Sequence, residues 1–226
     1  MKILVGIPAY NEETTIGNVI QNVPRQIDKI GRVDILVVDD GSKDKTAQIA
    51  RTKGAKVLSH FLNRGLGGAL KTIFAYADKH NYDMLITLDA DNQHDPKDIK
   101  RFINCALKNK SDIIIGSRWI KENNAPKARW IVNRFANIIT FLLVGIYTSD
   151  SQSGFRLFNQ EAIKNIQIKT DGMEVSSEIF REIYKNKLKY KEIPIKAVYT
   201  KYSETKGQRL ANAPDVLIHL LMRLVR

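Results

Sequence analysis

Residues 84–94 read Met-Leu-Ile-Thr-Leu-Asp-Ala-Asp-Asn-Gln-His. The apolar run at 84–89 is short, as a strand is, and it stops at two carboxylates, Asp89 and Asp91. A strand that is apolar at consecutive positions is buried on both faces, the habit of parallel strands covered by helices. The same unit recurs on both sides of it. Upstream lie KILVGIP at 2–8, DILVVD at 34–39 and a short run at 55–58; downstream lies DIIIGS at 112–117. Helical patterns fill the gaps at 14–23, 45–53 (closed by Gly54), 68–80 and 96–109, the last with Pro96 at its start. Strand–helix alternation of this kind predicts an α/β fold with a mostly parallel sheet flanked by helices. Beyond Ser117 the rhythm breaks. A polar, proline-containing loop at 121–128 precedes an amphipathic helix at 129–144, with Arg129 and Arg134 near its start. A basic loop at 199–212 leads into an apolar helical pattern at 214–226.

Composition narrows the classes. The 226 residues carry 36 Lys and Arg against 24 Asp and Glu, a net charge of +12. Residues 1–100 hold 14 basic and 13 acidic side chains, and residues 101–226 hold 22 and 11, so +11 of that charge sits in the second part. An anionic partner is expected there: phosphate, nucleic acid or an acidic membrane surface. Hydrophobic residues at 43% support a packed core and argue against disorder. A single cysteine, Cys105, excludes a disulfide framework and a cysteine-rich zinc site, and it suits a reducing cytoplasm. Met1 and Lys2 run directly into the first strand, with no signal-peptide pattern. The longest apolar stretch, 135–147, is 13 residues interrupted by Asn137 and Thr140, short of the ~20 a bilayer span needs. No transmembrane span is expected.

In an open parallel sheet, ligands bind beyond the carboxyl ends of the strands. The tips here carry Pro8-Ala9-Tyr10-Asn11-Glu12, then Asp39-Asp40-Gly41, then Asp89-Ala90-Asp91-Asn92-Gln93-His94, then Ser117-Arg118. One or two such acids serve as turn formers in any fold; five at strand tips point to chemistry. Paired carboxylates are hard oxygen ligands suited to Mg²⁺ or Mn²⁺, with Gln93 able to add an oxygen and His94 read as a turn or supporting residue. The Asn63-Arg64-Gly65-Leu66-Gly67-Gly68 stretch is either a phosphate cradle or a close-packed helix start. Leu70 stands where a dinucleotide fingerprint needs its third glycine, and Lys71 faces ligand or solvent. Ser153 has no histidine partner for a hydrolase triad, and the four histidines lack metal-ligand spacing.

Taken together and in order, IPAYNEE, VDDGSKD, NRGLGGAL, DADNQHDP, GSR and SGFR resemble family 2 glycosyltransferases, nearest the polyprenyl- or dolichyl-phosphate mannose or glucose synthase branch. The resemblance is strong over residues 1 to about 160 and loose beyond. It implies a GT-A fold in a single domain, 1–226, with a nucleotide-sugar half at 1–117 and an acceptor-side half at 118–226. It implies that Pro8, Tyr10, Glu12 and Asp39 hold the base and ribose, that Asp89 and Ala90 support the nucleotide, and that Asp91 and Gln93 place the metal on the diphosphate. Arg118, Arg129 and Lys206 would meet the acceptor phosphate. Asn133 stands where that branch has a serine, and Ser203-Glu204-Thr205-Lys206 matches its Gly-Glu-Ser-Lys-like loop only loosely. The membrane-spanning tail of some relatives has no counterpart.

The resemblance predicts an inverting, metal-dependent hexose transfer from GDP-mannose or a UDP-sugar to a polyprenyl phosphate, at the cytoplasmic face of a membrane to which the protein binds peripherally. A phosphate monoester is already anionic at neutral pH, so it needs positioning and no general base. Arginine suits that task. A sugar-hydroxyl acceptor is the alternative and would require a base. No RNA-binding signature accompanies the basic half, so nucleic acid is not an expected partner.

Overall fold

The structure is a computed structural model that describes residues 1–120 and 127–196. Its centre is an eight-stranded mixed sheet. The strands are β1 (Lys2–Ala9), β2 (Gln26–Ile27), β3 (Gly31–Asp39), β4 (Lys56–Ser59), β5 (Met84–Thr87), β6 (Ile113–Ser117), β7 (Arg156–Asn159) and β8 (Tyr190–Pro194). Their order is β2-β3-β1-β5-β7-β6-β8, with β4 also on β3. Pairing is parallel along β4-β3-β1-β5 and between β6 and β8. Strand β7 runs antiparallel between β5 and β6, and β2 antiparallel on β3. The sheet therefore draws strands from both sides of Ser117.

Alternation along each strand explains the continuous apolar runs. Ile3, Val5 and Ile7 of β1 pack on one face with Val33, Ile35, Val37 and Ile86. Helices α1 (Ile16–Asn22), α2 (Thr46–Thr52) and α4 (Ile99–Asn109) cover this face through Ile20, Ala50 and Phe102. Leu4, Leu36, Val38 and Leu85 point the other way, under α3 (Gly65–Lys79), α6 (Gln160–Asn165) and α7 (Val175–Lys185). Both faces are buried, so polar residues collect at the strand ends.

Several expectations shift. Strand β5 ends at Thr87, which frees Asp89 and Asp91 for the following loop. Helix α3 starts at Gly65, not 68, and α5 (Lys127–Val144) starts two residues before Arg129. Elements β2, β7, β8, α6 and α7 are additions to the sequence reading. The expected loop at 199–212, the helix at 214–226 and Lys206 lie outside the described residues. Among the described residues no helix is long and apolar enough to cross a membrane.

Candidate active site

The loops after β1 and β3 are laced together. Asn11, with φ of 52°, donates its N–H to Ser42 Oγ at 2.9 Å and accepts from Lys43 N at 2.8 Å. Glu12 N donates to Thr46 Oγ1 (2.7 Å), and the Glu12 carboxylate accepts from Thr15 Oγ1 (2.9 Å). Ala9 and Asp39 are register partners, so these tips form one wall. Pro8 stands past the last β1–β5 pair, Gly6↔Thr87, where a missing N–H costs no ladder bond. Tyr10 is exposed; Asp39 is buried and accepts from Ser42 N at 3.2 Å. Asp40 has a different task. Its carboxylate takes the N–H groups of Arg64 (2.9 Å) and Gly65 (2.7 Å) and meets His60 Nδ1 at 2.6 Å, so it caps α3.

The glycine stretch proves to be a packing device. Gly67 N and Gly68 N both donate to Asp171 O, at 2.8 and 3.2 Å, so these helix-start amides are already used. A Cβ on Gly67 would stand 2.2 Å from Thr170 O, and Gly65 (φ 85°) is as tightly placed. Lys71 Nζ donates to Lys169 O and to Asp171 Oδ1, both at 2.6 Å, which settles it as a strut to the 169–171 loop.

At the tip of β5 the acids gather. Thr87 Oγ1 donates to Gly154 O at 2.7 Å, drawing residue 154 against the Asp89 carboxylate. Burial, with the charge of Asp91 next, pushes Asp89 up to about 7; Arg118 and Arg156 pull the other way. Burial also raises Asp91, against the Gln93 N–H that its Oδ1 accepts at 3.0 Å. Ala90 and Gln93 are buried beside them. His94 is buried as well, with Nε2 at 3.8 Å from Asp89 Oδ2 and Nδ1 without a partner. At that distance a protonated ring would pair with Asp89, but burial and then Arg118 hold it down to about 3, so it is neutral at neutral pH. Among the described residues, no three or more His, Cys, Asp or Glu side chains are grouped to hold a metal on their own. Two carboxylates and an amide oxygen fit an ion that shares its coordination with a diphosphate.

Arg118 leaves β6 next to this cluster. Its Nε and Nη2 fork onto the wholly buried Asp150, both at 2.7 Å, and its backbone N donates to the same carboxylate at 3.1 Å. Arg156 is buried too; its Nη2 donates to Ser151 O at 2.8 Å, its cation lies 5.4 Å from the Phe180 ring, and burial lowers it to about 10. The next residue, Trp119, lines a cleft of about 370 Å³ together with Trp130, Asn133, Phe141 and Tyr147 among others. Asn133 donates to Ser149 O at 3.0 Å; its Oδ1 and Trp119 Nε1 are buried without partners. Arg129 lies in the first turn of α5, and its side chain is not described. A larger cleft, about 560 Å³, lies among Arg25, Arg32, Asp34, Lys56, Tyr76 and Tyr82 at the opposite end of the strands from the acids.

The structure thus gathers Pro8, Tyr10, Glu12 and Asp39 on neighbouring tips, and Asp89, Ala90, Asp91, Gln93 and Arg118 around one centre. Sequence reading missed Asp150, whose only local signal is a lone acid before Ser-Gln-Ser-Gly.

A sequence model described as glycosyl transferase family 2 matches residues 4–167. A protein of Methanocaldococcus jannaschii described as uncharacterized is 42% identical over 229 residues, covering 99% of this chain and 93% of its own. The UDP-N-acetylglucosamine–dolichyl-phosphate N-acetylglucosaminyltransferase of Methanococcus voltae is 36% identical, covering 96% and 93%. Glucosyl-3-phosphoglycerate synthase of Mycobacterium tuberculosis, crystallised with Mn²⁺ and uridine-diphosphate-glucose, has the same fold: TM-score 0.74 at 21% identity, over 98% of this chain and 78% of that one.

Proposed function

The chain belongs to glycosyl transferase family 2, and from that premise we propose that it transfers a hexose from GDP-mannose or a UDP-sugar to a polyprenyl or dolichyl phosphate, inverting the donor's anomeric centre. The observation that carries this reading is Arg118: one guanidinium, fixed by Asp150, whose charge acts on Asp89 and Asp91 and whose chain neighbour Trp119 lines the aromatic cleft. The division of labour follows from it. Residues 1–117 take the donor and residues 118–226 the acceptor.

On the donor side, Pro8, Tyr10, Glu12 and Asp39 form the wall for base and ribose, and Asp89 with Ala90 supports the nucleotide. Asp91 and Gln93 would hold Mg²⁺ or Mn²⁺, which supplies charge neutralisation for a departing diphosphate. The raised proton affinity of Asp89 and Asp91 suits such a cation, since both carboxylates gain from a nearby positive charge.

On the acceptor side the attacking oxygen belongs to a phosphate that is already anionic, so Arg118 orients it without removing a proton. The neutral, buried His94 and the absence of a Ser–His pair among the described residues agree with that. Arg129 and Lys206 complete the phosphate pocket in this reading. The cleft of Trp119, Trp130 and Phe141 suits the first isoprene units. The exposed Trp130, Phe135, Phe141 and Leu142 on α5, together with the +11 of residues 101–226, suit peripheral binding at the cytoplasmic face of an anionic membrane.

A panel of nucleotide sugars with polyprenyl phosphate and with free sugar acceptors, read by mass spectrometry, tests the reading. A sugar-phosphate-polyprenol product is expected. Transfer only to sugar hydroxyls overturns it.

A further inference from the structure

We propose that Glu192 is a positioning residue for the acceptor side, acting on Arg118 through residues 148–150. The inference rests on the acceptor-side reading of Arg118 given above.

The Arg118 guanidinium is where Asp150 puts it, because two of its N–H groups and its backbone N–H end on that carboxylate. Asp150 in turn sits in a connection between α5 and β7 that has no ladder of its own. Such a segment keeps its shape only through side-chain bonds. Those bonds converge on Glu192. Thr148 Oγ1 donates to Glu192 Oε1 at 2.5 Å, Ser149 N donates to the same oxygen at 3.0 Å, and Ser149 Oγ lies 2.6 Å from Oε2. Asp150 N then donates back to Thr148 Oγ1 at 3.3 Å.

A second link runs to Arg118 directly. Ser149 Oγ is also 2.6 Å from Ser117 Oγ. With its one proton given to the carboxylate, Ser149 Oγ accepts from the hydroxyl of Ser117, the residue before Arg118. Glu192, Ser149, Ser117, Arg118 and Asp150 therefore close a ring. From the opposite side Asn133 and Asn137 of α5 donate to Ser149 O at 3.0 and 2.7 Å, so the segment is clamped between β8 and the helix that lines the cleft. Glu192 reaches this clamp from an edge strand, in register with Ile115 of β6, and forms no part of the donor wall.

An ionised carboxylate is an acceptor only, which matches three converging donors; an amide in its place would turn an N–H₂ toward some of them. Glu192→Gln keeps the volume and breaks this match. Displacing a substrate-orienting group by about 1 Å can cost about 10²-fold in rate. We expect Glu192→Gln to lower kcat/KM for polyprenyl phosphate about 10- to 100-fold while KM for the nucleotide sugar stays unchanged. We expect the double variant Arg118→Ala/Glu192→Gln to be no worse than Arg118→Ala alone, because Glu192 acts through Arg118. Additive losses, or an equal rise in nucleotide-sugar KM, overturn the proposal, since a general loss of folding would produce both. A large Arg118→Ala defect beside an unaffected Glu192→Gln overturns the Glu192 proposal alone. Unchanged acceptor kinetics in Arg118→Ala overturns the acceptor-side reading first and this proposal with it.

Discussion

Asp89 and Gly154 exclude each other's growth: a Cβ built on Gly154 would stand 2.2 Å from Asp89 Oδ1 and 2.3 Å from Oδ2. No side chain fits there while the carboxylate keeps its place. The Thr87 hydroxyl, bonded to Gly154 O, holds the two segments at this distance. Gly154→Ala should therefore fold, because the Asp89 side chain can rotate away, but with the acid displaced. A loss in kcat of about 10²-fold or more is expected, with little change in melting temperature. Steady-state kinetics beside thermal denaturation checks this; near-wild-type turnover would show that the Asp89 position is not needed.

Asp91→Asn keeps the shape of the loop, since an amide oxygen can still accept from Gln93 N. It removes the charge proposed to meet the cation. Metal neutralisation of a leaving group is worth several kcal/mol, so the variant should lose at least about a hundredfold in turnover at limiting Mn²⁺. Titration of Mn²⁺ with nucleoside diphosphate, followed by paramagnetic relaxation, should show weaker ion binding as well. Retained ion affinity would move the metal role to Asp89.

His94 and Asp89, 3.8 Å apart, respond to acid in opposite senses. His94 is held down to about 3 from 6.5, so the unfolded chain takes up its proton first and stability falls as pH drops from about 6.5 toward 3. Asp89 is pushed up to about 7 from 3.8, so the folded chain takes up its proton first and stability rises as pH drops from about 7 toward 3.8. Asp91, Glu12, Asp150, Arg118 and Arg156 set the field both groups feel. Between about pH 4 and 6.5 the two contributions offset each other in metal-free protein. His94→Phe removes the slope of the buried His94, so relative to wild type it should gain stability on acidification by up to about 1.4 kcal/mol per pH unit. Asp89→Asn should shift the slope the other way. Denaturant titrations from pH 4 to 7 in EDTA check both; parallel curves for all three proteins would show that neither group is perturbed.

How much of this was legible in the sequence depends on the range of the interaction. The apolar strands at 2–8, 34–39, 84–89 and 112–117 announce themselves because burial on both faces leaves a local trace. So do the acids that follow them. Strand β7, four residues long, leaves no such trace, and nothing local says that Arg156–Asn159 returns antiparallel between β5 and β6. The fork of Arg118 on Asp150 spans 32 residues and the clamp of Glu192 on Ser149 spans 43, so only the folded chain brings them together. The glycines at 65–68 were ambiguous because a phosphate and the Asp171 carbonyl make the same demand on helix-start amides.

The membrane prediction turns on α5. Its Phe135, Phe141 and Leu142 are 63%, 49% and 75% exposed, and Trp130 is 52% exposed beside the cleft. A helix that merely covered the sheet would bury these side chains; here water meets them. Apolar surface of this extent near a basic half suits an interfacial helix, and each basic residue near an anionic surface adds on the order of 1 kcal/mol, less at high salt. We expect co-sedimentation with vesicles containing phosphatidylserine at low salt, release as salt is raised, and no binding to neutral vesicles. Phe135→Ser/Leu142→Ser should weaken vesicle binding about tenfold or more, since burying each large side chain contributes about 1.5–3 kcal/mol. The same variant should keep full turnover on a short, water-soluble polyprenyl phosphate, because neither residue lines the cleft. If that variant binds vesicles as wild type does, α5 is not the contact; if wild type ignores anionic vesicles altogether, the site must meet its acceptor away from a bilayer.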